Sequence, residues 1–314
     1  MTILVGYSAQ REDKAALDLV AQIARSGTKE PVAVATVVPQ PWSSPSPAKV
    51  DAEYAAWAAQ AGDAALERAR EYMAARAPDI DATYSAIPGR SITRGLLDAA
   101  DENGADVIVL GSSRNGPLGQ VVVSATADPL LHSSPIAIAV APRGYRAAGA
   151  TLCRITCAFS GTEESAELLA ATAAWANRLK VPLRIATFGV RGGTMYPSGV
   201  GYQAEDAVLD EWTKQAIAAQ DAAVSRMRRL DQLPVSFESV IGTGLGWSEA
   251  VNDIAWERDE ILVVGSTAQG PIKRVFVGSN AIRVVRHSPV PVLVVPGAQV
   301  AVEVLAGGPV PSER

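Results

Sequence analysis

Two stretches of this sequence nearly match each other: EILVVGSTAQGPIKRVFVGS at residues 260–279 and DVIVLGSSRNGPLGQVVVSA at residues 106–125. The same offset of 154 residues continues into the later segments SPVPVLVVP and SPIAIAVAP. Nearer the start of each copy, ILVGYSAQRED from Ile3 matches ITCAFSGTEES from Ile155 at an offset of 152. Because spacing and residue type agree over many positions, the sequence predicts a tandem duplication.

Within each copy, apolar runs alternate with segments of helical spacing. The predicted strands are TILVGYS, PVAVATVV, ATYSAI, DVIVLGS and PIAIAVAP in the first copy, and RITCAFS, PLRIATFG, VSFESVIG, EILVVGS and PVLVVPG in the second. The predicted helices include residues 51–77, 163–179, 204–230 and the segment SEAVNDIAWERD. Strands separated by crossover helices form parallel sheets covered on both faces. The predicted fold class is therefore α/β, with two tandem open five-stranded parallel-sheet sandwiches.

The domain boundaries follow from the same repeat. The first predicted domain covers residues 1–146, the second covers 147–297, and residues 298–314 form a flexible tail. The segment PRGYRAAGA, near residues 142–150, is the predicted linker. In a chain of 314 residues, each domain is long enough to bury a core of its own.

Charge and composition exclude several classes of function. The formal net charge is −5 and the chain contains no long run of Lys or Arg, so no nucleic-acid or membrane partner is expected. No window approaches eighteen uninterrupted apolar residues, and the N-terminus lacks the pattern of a secretory signal. These features predict a cytoplasmic protein.

The two cysteines, Cys153 and Cys157, lie four residues apart on a predicted strand. Four residues of strand span about 13 Å, which is too far for a disulfide. No Cys-x-x-Cys pattern or further ligand accompanies them. Both are therefore predicted to be buried, reduced thiols.

A glycine-containing connection follows the fourth predicted strand of the second copy. Gly265 ends that strand, and Gly278 and Ser279 begin the next helix. Ligands of open parallel sheets bind at the carboxyl ends of the strands. Phosphate groups bind there to backbone N–H groups, helped by the partial positive charge of a helix N-terminus. The connection is thus either a phosphate cradle or a tight structural turn.

These residues are similar to a known family signature. The nucleotide-binding signature of universal stress proteins is Gly-x-x-Gly, nine residues, then Gly-Ser. This sequence resembles it, with Gly265, Ala268, Gly278 and Ser279 at the four defined positions. The repeat architecture resembles the tandem form of that family over nearly the whole chain. The resemblance implies the α/β fold already predicted from the strand pattern.

The sequence departs from the family pattern at several positions. Ala268 replaces the second glycine, and its methyl group obstructs the ligand if the backbone φ there is positive. ATP-binding members of the family carry an aspartate at the end of the first strand, where this chain has Ser8 and Ser160. A serine can bind a ribose or phosphate oxygen but cannot hold a divalent cation as a carboxylate does. In the first copy, Arg114 occupies the second glycine position and is expected to fill the cradle.

The resemblance implies a regulatory protein, not an enzyme, that binds ATP or another adenine nucleotide weakly in its second domain and without a metal ion. By the same alignment Phe188 borders an adenine, or it is an ordinary core residue. The candidate contact residues are Ser160, Gly161, Phe188, Gly265, Ala268, Gly278, Ser279 and Asn280. The alternative is a family member that binds no nucleotide and acts through contacts with an unknown protein partner.

The last strand of each copy, PIAIAVAP or PVLVVPG, is apolar enough to require covering. An uncovered parallel edge strand invites pairing with another strand. In the family that this chain resembles, such strands pair between subunits. The expectation is an intramolecular pseudo-dimer of the two domains, or a homodimer of the chain.

Overall fold

The structure is a computed structural model that describes residues 1–8, 14–27, 30–40, 50–191, 199–266, 279–297 and 305. For residues 50–52, 133, 199–206 and 279 it describes the backbone alone. The chain divides into two compact units, Met1–Thr151 and Leu152–Arg314, which are called unit 1 and unit 2 below.

In unit 1, strands and helices alternate along the chain. They are β1 (Ile3–Gly6), α1 (Lys14–Ser26), β2 (Val32–Pro39), α2 (Val50–Arg76), β3 (Ala82–Gly89), α3 (Ile92–Glu102), β4 (Val107–Gly111), α4 (Ala127–Ser133) and β5 (Ala137–Ala141). The strand order is β3-β2-β1-β4-β5, and each of these pairings is parallel. The helix α3 is followed by Gly104 with a φ of +57°, a left-handed conformation that commonly ends helices.

Unit 2 repeats this arrangement. Its elements are β6 (Arg154–Ala158), α5 (Glu163–Leu179), β7 (Leu183–Val190), α6 (Gly199–Arg229), β8 (Phe237–Gly244), α7 (Trp247–Asn252), β9 (Glu260–Ser266), α8 (Ser279–His287) and β10 (Val292–Pro296). The order β8-β7-β6-β9-β10 is the counterpart of the order in unit 1, again with parallel pairs. The predicted fold class, with five parallel strands in each half, is therefore confirmed.

The first strand of each unit lies at the centre of its sheet. β1 pairs with β2 on one side and β4 on the other, and β6 pairs likewise with β7 and β9. The chain therefore winds outward in both directions from the centre, and strand order reverses there. In open parallel sheets, the carboxyl ends of the strands at such a reversal form the usual ligand crevice.

The predicted linker packs against α1 of unit 1. Ten consecutive residues of α1, from Ala15 to Ala24, are buried, which a helix with one solvent face would not allow. Arg146 donates to the buried carboxylate of Asp18 at 2.9 Å, and Tyr145 donates to the side chain of Gln22. The segment after β5 therefore covers the outer face of α1.

The helix predicted over SEAVNDIAWERD is much shorter in the structure. α7 ends at Asn252, and the residues from there to the start of β9 are not helical. The indole N–H of Trp256 donates to the Val251 carbonyl at 2.7 Å, and the Glu257 N–H donates to the Glu260 carboxylate at 3.0 Å. The Ala255 carbonyl accepts from the distant Arg184 and Arg154 side chains, and these contacts replace the helical hydrogen bonds that local spacing suggested. The helix α6 also differs from its prediction, since it begins at residue 199 rather than at 204.

Candidate functional site

The carboxyl edge of the unit 2 sheet brings three candidate residues onto neighbouring strands. Ser160 follows the central strand β6, and the Phe159 N–H donates to the Ala186 carbonyl of β7 at 2.8 Å. Phe188 lies near the end of β7, and Gly265 lies near the end of β9 on the other side. Ser160 is exposed, whereas Phe188 and Gly265 are half-buried. This edge is the crevice at the reversal of strand order.

Gly161 and Thr162 form the turn from β6 into α5. Gly161 has a φ of +80°, a conformation that favours glycine. Thr162 is the N-cap, and its hydroxyl accepts from the Ser165 N–H at 3.3 Å. The Ser160 hydroxyl oxygen lies 3.4 Å from that of Thr162. The polar groups of this turn are thus presented at the carboxyl edge, next to the start of a helix.

The two helices that begin at this edge differ in charge. The first turn of α5 contains the acidic residues Glu163 and Glu164, and Glu163 pairs with Arg226 at 2.7 Å. The first turn of α8, which begins at Ser279, contains no acidic residue. An anion is attracted to a helix N-terminus, and neighbouring carboxylates oppose that attraction. The start of α8 is therefore the better place for a phosphate.

Phe188 takes part in the packing below the edge as well as bordering it. Its ring stacks on Trp256 with centroids 6.5 Å apart and planes 18° apart. A Cβ at Gly242 would come within 3.1 Å of the Phe188 ring. The counterpart in unit 1, Val37, is packed in the same way, since a Cβ at Gly95 would lie 2.9 Å from it. The packing role is thus present in both units.

The remaining candidates are only partly covered by the structure. A Cβ at Gly265 would lie 3.1 Å from Leu168 of α5, so the absence of a side chain allows close packing of that helix. Asn280, in the first turn of α8, is exposed. Ser279 is described as the first residue of the helix by its backbone. Ala268 and Gly278 lie outside the described residues.

The corresponding connection in unit 1 is fully described and is closed on itself. The Ser113 N–H donates to the Val122 carbonyl at 2.9 Å, and the Val122 N–H donates to the Ser112 hydroxyl at 3.0 Å. The same hydroxyl donates to the Ala141 carbonyl at 2.7 Å. The two arms of this connection are therefore joined, and these amide hydrogens already have acceptors.

Val122, not Arg114, fills the unit 1 connection. Arg114 is exposed, so the expectation that it fills the cradle is wrong. A Cβ at Gly116 would lie only 2.1 Å from a methyl carbon of Val122, which shows how closely the valine covers that backbone. Ser124, at the position of Gly278, is buried, and its hydroxyl accepts from the Ala127 N–H at 3.1 Å as α4 begins. In the sequence, Val122 is the middle residue of the apolar run VVV at residues 121–123, and nothing in that run marks it as the residue that covers Gly116.

Sequence reasoning missed a buried ionic cluster at the opposite, amino edge of unit 2. Glu260 is fully buried, and its carboxylate accepts from the guanidinium groups of Arg184 and Arg154. The Thr156 hydroxyl and the Glu257 N–H donate to it as well. The charged residues are 76 or more positions apart from Glu260 along the chain, so local spacing carried no signal. The buried Glu260 carboxylate thus has several donors, as a buried charge requires, whereas the buried Arg154 Nε has no hydrogen-bond partner among the described residues.

The two thiols differ in exposure. Cys157 is buried as predicted, and burial raises its pKa to about 12. Cys153 is half-exposed, which corrects the prediction that both are buried. Partial burial, followed by a hydrogen bond to Glu257, raises the Cys153 pKa to about 11. Neither thiol is therefore an activated nucleophile at neutral pH.

Across the residues that the structure describes, no group of three or more His, Cys, Asp or Glu side chains is placed to hold a metal ion. None of the described helices is long and apolar enough to cross a membrane.

Comparisons with known proteins agree with this architecture. The model of the universal stress protein family matches residues 1–142 and again 153–296. Universal stress proteins of Mycobacterium tuberculosis H37Rv and Mycobacterium bovis are 40% identical to this chain over 297 residues, covering 95% of it and all of each relative.

Solved structures of low sequence identity share the fold. A universal stress protein from Archaeoglobus fulgidus has a TM-score of 0.55 at 15% identity, covering 93% of this chain and 97% of its own. A structure described as a putative universal stress protein from Pseudomonas aeruginosa has a TM-score of 0.53 at 14% identity, covering 98% of both chains. With two copies of the family model and relatives that match along their whole length, this chain belongs to the universal stress protein family, in its tandem form.

Proposed function

We propose that this protein is a cytoplasmic stress-response regulator that binds ATP or another adenine nucleotide weakly in unit 2, and that it acts by binding rather than by catalysis. The observation that carries the proposal is the arrangement of Ser160, Phe188 and Gly265 at the carboxyl edge of the unit 2 sheet. Beyond that edge, α8 begins without an acidic residue in its first turn. An adenine beside Phe188 and phosphates near the start of α8 fit this arrangement.

The closed connection of unit 1 supports the assignment of the nucleotide site to unit 2. Its connection between β4 and α4 uses its amide hydrogens internally and is covered by Val122. A phosphate there would have to break the bonds between Ser112, Ser113 and Val122 before it could bind. Since each buried hydrogen bond left unmade costs about 1 to 3 kcal/mol, unit 1 is not expected to bind a nucleotide.

The predicted binding depends little on magnesium. Ser160 offers a hydroxyl where a carboxylate would be needed to hold a divalent cation. In the first turn of α5, which follows Ser160, the Glu163 carboxylate is paired with Arg226. The nucleotide is therefore held by backbone N–H groups and hydroxyls, and the affinity is modest.

The test is calorimetric titration of ATP, with and without magnesium, into the full chain and the variants Ser160→Asp, Gly278→Asp and Ser124→Asp. The parent chain should bind weakly in either buffer, and Ser160→Asp should bind more tightly only when magnesium is present. Gly278→Asp should abolish binding by placing a carboxylate against the phosphates. Ser124→Asp, the matched variant in unit 1, should leave the affinity unchanged.

Two results would overturn the proposal. Absence of binding at millimolar nucleotide would favour the alternative, a family member that binds no nucleotide and acts through a protein partner. Equal losses from Gly278→Asp and Ser124→Asp would mean that the assignment to unit 2 is wrong.

A further inference from the structure

The Phe188 ring at the carboxyl edge of unit 2 packs against the indole of Trp256. The two rings are stacked, with centroids 6.5 Å apart and planes 18° apart. Both side chains are half-buried. Stacked aromatic pairs stabilise each other beyond the apolar area that they bury. The position of the Phe188 ring is therefore coupled to that of the indole.

The indole of Trp256 is itself fixed by two further contacts. Its N–H donates to the Val251 carbonyl of α7 at 2.7 Å. The Arg184 guanidinium lies 5.0 Å from the centre of the indole ring, which is a cation–π distance. That guanidinium is buried and donates to the Glu260 carboxylate and the Thr156 hydroxyl. The indole thus rests on a buried ionic cluster with little freedom to move.

The indole contacts two residues of the same strand. Arg184 and Phe188 are four residues apart on β7, so both side chains lie on one face of the sheet. Because Trp256 reaches both of them, it lies on the amino side of the Phe188 ring. Without the indole, an unfilled space would open there, and Phe188 could turn into it, away from the carboxyl edge.

The backbone beside Phe188 offers the ring no other place. Gly242 is the register partner of Phe188 on β8. A Cβ at Gly242 would lie 2.2 Å from the Ala250 carbonyl oxygen and 3.1 Å from the Phe188 ring. The ring is therefore confined by the backbone of β8 and α7 as well as by the indole.

The counterpart of this arrangement in unit 1 is aliphatic. Val37 stands at the position of Phe188, and α3 continues to Glu102 where α7 of unit 2 stops short. A Cβ at Gly95 of α3 would lie 2.9 Å from Val37, so the helix covers the valine directly. The stacked pair therefore belongs to the unit in which nucleotide binding is proposed.

We propose that Trp256 is a positioning residue of the nucleotide site, which holds the Phe188 ring at the carboxyl edge where it meets the adenine. The inference rests on the proposed nucleotide binding in unit 2. The phosphates, placed near the start of α8, lie across the central strand β6 from Phe188. Loss of Trp256 therefore weakens the hold on the adenine and leaves the hold on the phosphates unchanged.

The test compares ATP with inorganic tripolyphosphate, each titrated without magnesium and followed by calorimetry, in the full chain and the variants Trp256→Leu and Trp256→Phe. Trp256→Leu should bind ATP about two- to tenfold more weakly than the parent chain, the range expected for an aromatic pair, and tripolyphosphate equally well. Trp256→Phe keeps a ring against Phe188 and should bind ATP within about twofold of the parent.

Met227→Ala is the matched control for the loss of a packed side chain in unit 2. Met227 is buried on α6, and Gln220 of that helix donates to the Thr187 hydroxyl at 2.9 Å. Since Thr187 and Phe188 are consecutive on β7, they point to opposite faces of the sheet. Met227→Ala should therefore leave both affinities unchanged.

A second measurement follows the Phe188 ring without any nucleotide. The chain contains four phenylalanines, so fluorine NMR of a chain labelled with para-fluorophenylalanine identifies the Phe188 resonance by its loss in Phe188→Leu. In Trp256→Leu this resonance should move towards that of a solvent-exposed ring, because the indole no longer stacks on it. An unmoved resonance would contradict the positioning role.

The outcomes separate this inference from the proposed function. Equal ATP affinities of the parent chain and Trp256→Leu would overturn the role of Trp256 and leave nucleotide binding standing. Equal losses of ATP and tripolyphosphate binding in Trp256→Leu would indicate a general structural role and would also overturn it. Absence of ATP binding in the parent chain would overturn both proposals.

Discussion

The two units are copies of one framework, yet they use opposite edges of their sheets in different ways. At the carboxyl edge, unit 1 closes its connection through Ser112 and Val122, whereas unit 2 presents Ser160 and Gly265 next to an acid-free helix start. At the amino edge the relation is reversed. Unit 2 fills the space with Arg184, and unit 1 leaves a cleft.

This difference shows how few side chains separate the edges of two copies of one fold. At the amino edge, Arg184 and Arg154 of unit 2 correspond to Ala33 and Thr2 of unit 1, and these two changes separate a filled edge from an open cleft. At the carboxyl edge, one valine covers the backbone of the connection. The strands themselves are nearly identical in order and register, because they carry the core rather than the site.

The largest effect is expected from Glu260→Ala. Removing this carboxylate leaves the buried Arg184 guanidinium with only the half-exposed Glu238 carboxylate, 3.7 Å away, and breaking a buried ion pair typically costs about 3 to 5 kcal/mol. The measurement is the free energy of unfolding in urea for the full chain. Asp106→Ala is the matched variant in unit 1, where the side chain is 27% exposed, and it should cost about 1 kcal/mol or less. Equal costs would contradict the contrast between a closed and an open amino edge.

The next largest effect concerns the closed connection of unit 1. Gly116→Ala places a methyl group against Val122 and should lower the free energy of unfolding by about 1 to 3 kcal/mol through overpacking. Combining it with Val122→Ala should relieve the clash, so the double variant is more stable than the sum of the single losses predicts. Strictly additive losses in thermal or urea unfolding would mean that the valine does not cover this glycine.

A smaller effect is expected at the edge of the proposed nucleotide site. Gly161→Ala forces a side chain into a backbone conformation with φ +80° and should cost about 1 kcal/mol. Gly246→Ala is the control, because that glycine has a φ of −150° and open space around it, and it should cost less. The comparison is made by urea unfolding. A larger loss in Gly246→Ala would contradict the role assigned to the Gly161 turn.

The smallest effect on stability is expected at Cys153, beside the filled amino edge of unit 2. The quantity that changes clearly there is the reactivity of the thiol. Its pKa of about 11 means that the alkylation rate with iodoacetamide should rise mainly above pH 10, as followed by mass spectrometry. Glu257→Gln removes the carboxylate that accepts from the thiol and should shift this rise to lower pH.

The raised pKa of Cys153 in the folded chain also makes the free energy of unfolding depend on pH. The unfolded thiol, with a pKa near 9.0, loses its proton before the folded one, so the contribution to stability is complete below pH 9 and is lost as the pH rises towards 11. An alkylation profile with a midpoint near pH 9 in the parent chain would contradict the burial of Cys153 behind Glu257.

Local sequence predicted the secondary structure where periodicity was strong. The long apolar strands and the helix Glu163–Leu179 agree with the structure because their spacing and caps are local properties. The segment after Ser248 was predicted as a full helix and is not one. The Ala255 carbonyl there accepts from Arg184 at 2.6 Å and from Arg154 at 3.2 Å, and such tertiary contacts outweigh helix propensity and cannot be read from spacing.

By itself, the sequence determined the duplication, the order of strands and helices in each unit, and which residues lie at the carboxyl ends of the strands. These properties follow from repeat spacing and hydrophobic period. Only the tertiary structure decided that Val122 rather than Arg114 fills the unit 1 connection, and that Arg184 and Glu260 meet at one edge of unit 2. The physical reason is that packing and buried charge pairing depend on which side chains from distant strands reach the same space, and parallel strands bring together residues that are far apart along the chain.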